Sequence, residues 1–128
     1  MKSQYLELLA RYKTLTEGAD KDVDHSAELL ALSRAALVAG SHLRLTFLNK
    51  TQVQESNDLS RLAVQAKREA EGQALKSQFR ELMASNPSRE EARKLAKQIR
   101  EYILFSGVAG TLDQATEWAA MLNTLNRI

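Results

Sequence analysis

Apolar residues recur along most of this chain at intervals of three and four, the spacing that gathers them on one side of an α-helix. Tyr5, Leu6, Leu8, Leu9, Tyr12 and Leu15 predict a first helix over residues 2–17, which Gly18 ends. Residues 18–24 are polar and acidic, a connection that finishes in Asp22 or Asp24 as a helix N-cap. From His25 onward, Leu29, Leu32, Ala36, Gly40, Leu43 and Phe47 predict a second helix to about residue 49. Gly40 is its weak point. A glycine inside a helix costs about 1 kcal/mol relative to alanine, so it either breaks the helix or serves the close approach of a neighbour. Leu43 to Phe47 also alternates with a period of two, as a half-buried strand does, but a lone strand would have no partner.

Residues 49–58 are polar, and Ser56-Asn57-Asp58 is suited to restarting a helix. Leu59, Leu62, Ala63, Ala66, Ala70, Ala74, Phe79, Leu82 and Met83 then mark the buried side of a third helix that tolerates Gly72. Ser85-Asn86-Pro87-Ser88 stops it, because the residue before a proline is pushed out of helical geometry. Ser88 with Glu91 makes a capping box for a fourth helix from Arg89, with Ala92, Leu95, Ala96, Ile99, Tyr102 and Ile103 inward. Gly107 to Gly110 closes that helix. Thr111 with Gln114 opens a fifth, facing Leu112, Ala115, Trp118, Ala119, Leu122 and Leu125 inward.

Composition agrees with this pattern. A chain of 128 residues, 44% hydrophobic and 27% charged, buries enough surface to fold as one domain. One proline and five glycines are too few for the turns of a sandwich or barrel. The expected fold is therefore all-α: a single compact bundle of four to five amphipathic helices spanning residues 1–128. The absence of cysteine removes disulfides, thiolate nucleophiles, iron–sulfur clusters and thiolate zinc sites, and fits a reducing compartment. Charged residues recur through residues 1–14, so no secretory signal is expected there. The most apolar stretch, 29–48, is interrupted by Ser33, Arg34, Ser41, His42 and Arg44 and is unsuited to a bilayer. The expected location is the cytoplasm, with no membrane partner.

Candidate chemistry is sparse. His25 and His42 lie seventeen positions apart, and only Glu28 stands at ligand spacing from either, so no metal is expected. The glycines at 107 and 110 lack the strand before them and the Lys-Ser or Lys-Thr pair after them that a phosphate loop needs. No cofactor, small-molecule substrate or catalytic residue is expected. A histidine on a helix of a small bundle, with Arg44 two positions on, is the setting of a phosphotransfer domain. His42 lacks the following glycine such a site expects, so this reading ranks third. Adjacent Glu90 and Glu91 point in different directions on a helix and read as charges that complement its N-terminal dipole.

Charge is the uneven feature. Residues 61–100 hold ten basic and five acidic side chains, a net of +5 in a chain whose total is +2. Arg89, Arg93, Lys97 and Arg100 step by four, four and three along one side of the fourth helix. Arg61, Arg68, Lys76 and Arg80 form a similar stripe on the third. Two such helices in an antiparallel hairpin about Pro87 would merge the stripes into one basic surface for nucleic acid or an acidic partner. Against this, Glu90 with Lys94 and Lys97 with Glu101 are spaced to neutralise one another, and no aromatic stacking platform accompanies the cations. Leu37, Val38, Leu48, Val53, Val64, Leu104 and Val108 fall off the main apolar stripes and would make a protein-binding patch where they gather. The leading expectation is a non-enzymatic interaction subunit, adaptor or chaperone in a larger assembly, with a protein partner or its own copies. The alternative is a nucleic-acid-binding subunit using residues 61–100.

Overall fold

A computed structural model describes residues 4–17, 23–45, 49–106 and 112–128. Among these residues the chain is all-α, with five helices: α1 (Gln4–Glu17), α2 (Ser26–Leu45), α3 (Lys50–Ala84), α4 (Arg89–Ser106) and α5 (Leu112–Asn126). The expectations at Gly18, Asp22, Leu48, Gly107 to Gly110 and the Thr111/Gln114 box fall outside the described residues. The chain packs as two compact units, Met1–Ala70 and Glu71–Ile128, and α3 contributes to both.

In the first unit, Leu32 and Ala36 of α2 meet Leu59, Leu62, Ala63 and Ala66 of α3 in a buried cluster. Tyr5, Leu8, Leu9, Tyr12 and Leu15 of α1 cover it, and none of them is fully buried. Asp24 supplies the expected cap for α2, its Oδ1 accepting the Ser26 N–H at 2.9 Å. Leu43 to Leu45 belong to this helix and not to a strand.

Gly40 does not break α2. A Cβ there would lie 3.4 Å from the Leu59 Cβ and from the Ser56 carbonyl oxygen, so the two helices run close together at this point with room for no more than a methyl group. The Ser56 hydroxyl uses that approach and donates to the Gly40 carbonyl at 3.0 Å. A second tie joins the same helices, the Ser33 hydroxyl donating to the Ala63 carbonyl at 2.6 Å. Such bonds remove the cost of burying a hydroxyl, which is how Ser56 sits in the core at 2% exposure.

α3 begins well before the expected restart at Ser56-Asn57-Asp58. Asn49 and Gln52 form a reciprocal box: the Gln52 N–H donates to Asn49 Oδ1 at 2.9 Å, and the Asn49 N–H to Gln52 Oε1 at 3.1 Å. The polar residues 50–58 are therefore the first turns of a helix whose buried side includes a hydroxyl. At its other end α3 stops where Pro87 requires, with Asn86 in the left-handed region at φ 57°.

In the second unit, Ala92, Leu95, Ala96 and Ile99 of α4 pack with Trp118, Met121 and Leu125 of α5, and Leu75, Phe79, Leu82 and Met83 of α3 close the cluster. The Glu91 N–H donates to Ser88 Oγ at 3.2 Å, the first half of the expected capping box. The Glu91 carboxylate takes the Ser88 hydroxyl at 3.1 Å, where the expected box has a backbone N–H. Gly72 makes room for an aromatic pair: a Cβ there would stand 2.7 Å from the Tyr102 hydroxyl and 3.6 Å from Trp118. Those two rings meet at 5.3 Å between centroids, tilted by 53°.

Candidate functional site

Each cation singled out in the sequence is surface-accessible, and those of the second unit do not form one array. Arg61 and Arg68 are exposed on the part of α3 that belongs to the first unit. Lys76 and Arg80 line the groove between α3 and α5, with Phe79, Glu117, Met121 and Thr124. Lys76 is engaged there: its ammonium lies 3.2 Å from Glu117 Oε2 and 5.4 Å from the centroid of the Trp118 ring. The Lys76 side chain is consequently half-buried, and its charge is answered locally.

The groove between α3 and α4 has a different character. Glu71, Gln78, Gln98 and Glu101 line it with Leu75 and Tyr102, and further along it holds Glu91 and Lys94. No member of either basic stripe lines this groove, where a hairpin about Pro87 would have merged them. Phe105 stands at its end, 80% exposed.

Arg89, Arg93, Lys97 and Arg100 are all exposed along α4. Among the described residues no ion pair joins Glu90 to Lys94 or Lys97 to Glu101, so these cations keep their charge toward solvent. The reason lies in their helix, whose apolar and charged sides are more sharply separated than those of the other four.

α2 shows the opposite pattern. Its inner side is committed to the core, yet its outer side is also largely apolar. Leu37 is more than half exposed, Val38 is 68% exposed and Leu45 is 87% exposed. Ala27, Ala31 and Ala35 are exposed with them, and among the described side chains of this helix the exposed polar ones are Glu28, Arg34, Ser41 and His42. A helix that is hydrophobic all round is normally covered on every side. Of the residues expected to stray from the core stripes, Val53, Val64 and Leu104 are exposed as well. The alanines of α2 were missed in the sequence because singly they carry no signal; what marks this helix is the shortage of polar residues opposite the core.

Other chemistry is thin. His25 faces Glu28, Nδ1 to Oε2 at 3.4 Å, and His42 is exposed on α2. Among the described residues no three His, Asp or Glu side chains gather as a metal site, and no helix is long and apolar enough to cross a membrane. Tyr12 is the exception among titrating groups: burial, with the Glu69 and Glu17 carboxylates adding to it, holds its phenol above the usual value. Comparison with protein-family models, curated proteins and solved structures found no match to this chain.

Proposed function

We propose that this protein is a non-enzymatic interaction module, a small subunit, adaptor or chaperone that binds another protein through the outer face of α2. The observation that supports this reading is the exposure of Leu37, Val38 and Leu45 on a helix that already buries its other side. Covering each large apolar side chain contributes about 1.5–3 kcal/mol, so three on one helix are enough to anchor a partner. The expected partner presents an apolar surface of its own, because among the described side chains of this helix Glu28 and Arg34 are the fully charged ones exposed.

A photo-crosslinker at Val38 in the native host tests this. Crosslinking to one partner protein, abolished or reduced at least about tenfold in the Leu37→Asp/Val38→Asp variant with far-UV circular dichroism unchanged, is the expected result. Equal capture by the wild type and the double variant would remove α2 from the interface. Light scattering on the purified chain separates a partner of another kind from a second copy of this one.

A further inference from the structure

The cations of α4 acquire a neighbour that the sequence did not indicate. Glu91, Lys94, Gln98 and Glu101 edge the groove toward α3, and Ala92, Leu95, Ala96 and Ile99 enter the core. Helical periodicity leaves Arg89, Arg93 and Arg100 on the remaining flank, the one turned toward α5, with Lys97 just outside them. α5 turns Glu117, Ala120 and Thr124 toward α3 and sends Trp118, Met121 and Leu125 inward. Its flank beside α4 therefore holds Ala115, Ala119 and Asn126, with Asn123 at the outer edge, all exposed. Among the described side chains this flank of α5 carries no carboxylate, and Glu90 and Glu101 bound the stripe only on the far side of α4.

We infer that this α4/α5 face docks on the phosphate backbone of a double-helical nucleic acid, without reading its sequence. Four observations carry the inference. The cations are held on one helix at steps of about 5–6 Å over about 16 Å, a rigid row that needs little ordering on binding. Three of the four are arginines, whose planar forks bind phosphate oxygens in pairs. The small side chains of α5 beside them let a broad, rigid backbone come close, and Asn123 and Asn126 offer amide donors to phosphate or sugar oxygens. Finally, the face lacks what other polyanions require. Trp118 is buried and the exposed Phe105 stands at the α3 side of α4, so this face presents no ring for stacking single-stranded bases, and Leu104 is the one large apolar side chain at the end of the stripe, too little to anchor in a lipid surface.

The test is fluorescence anisotropy with a labelled duplex of mixed sequence, about 20 base pairs long, titrated with salt. Four phosphate contacts predict a slope of log K against log salt of about −3 to −4. The Arg89→Gln/Arg93→Gln/Arg100→Gln variant should bind at least about tenfold more weakly at low salt, with the slope reduced by about three. Each single variant should reduce it by about one, which keeps the test decisive if the triple variant fails to fold. Lys76→Gln/Arg80→Gln and Leu37→Asp/Val38→Asp should bind as the wild type does, so failure here is distinct from failure of the α2 interface. No duplex binding at low salt would overturn the inference. So would a slope unchanged in the α4 variants, or binding to anionic phosphatidylserine vesicles or to polyglutamate in place of the duplex.

Discussion

A methyl group added at either buried glycine meets a different neighbour. At Gly40 the nearest atoms would lie at ordinary contact distance, 3.4 Å, so Gly40→Ala gains helix propensity at little steric cost. Urea unfolding should find it more stable by up to about 1 kcal/mol. At Gly72 the methyl would stand 2.7 Å from the Tyr102 hydroxyl, on a ring already packed against Trp118. Gly72→Ala should therefore destabilise by about 1–2 kcal/mol despite the same gain in propensity. A double-mutant cycle with Tyr102→Phe should return about 1 kcal/mol of that loss, since it removes the closest atom. Tyr12 gives a residue-scale effect of pH. Its phenol pKa is raised in the folded state, first by burial and then by Glu69 and Glu17, so folding favours the neutral form. The stability it contributes is complete below the unfolded value of about 10 and is lost as pH rises through the raised folded value. Denaturant titrations between about pH 9 and 11 should show Tyr12→Phe losing less stability than the wild type.

Helix ends and helix faces were unequally legible. The stop at Asn86-Pro87 could be read directly, because proline constrains its predecessor whatever the tertiary context. The start of α3 could not: a polar run from Asn49 to Asp58 reads as a connection unless the Asn49/Gln52 box is noticed, and Ser56 reads as surface. Ser56 is buried where α2 comes close enough for the Gly40 carbonyl to accept its hydroxyl, a partner that only the packing of the two helices reveals. The caps themselves carry measurable stability. Asn49→Ala and Ser88→Ala should each cost about 1 kcal/mol, since each strands a backbone N–H that the side chain now satisfies. The basic stripe of α4 was visible from the chain because it is a property of one helix. The flank of α5 beside it, and the separation of Lys76 and Arg80 into another groove, depend on which helix faces which, and no one-dimensional pattern records that.

The whole molecule divides its surface chemistry among helices. α2 offers apolar side chains, α4 offers cations, and the α3/α4 groove is edged by carboxylates and amides. The two proposed surfaces lie on different helices, in different units, which allows a protein partner and a nucleic acid to be removed one at a time by substitution. Beneath these surfaces the two cores combine leucines with alanines, and the second adds Trp118 and Met121. One small detail of the second core has a use at the bench. Trp118 is the only tryptophan in the chain and is 3% exposed, seated against Tyr102 and Lys76. Its emission is an optical reporter confined to residues 71–128, already installed. Because the chain has no cysteine, a thiol introduced at Val38 would be the sole thiol available to a dye, giving residues 1–70 a second colour.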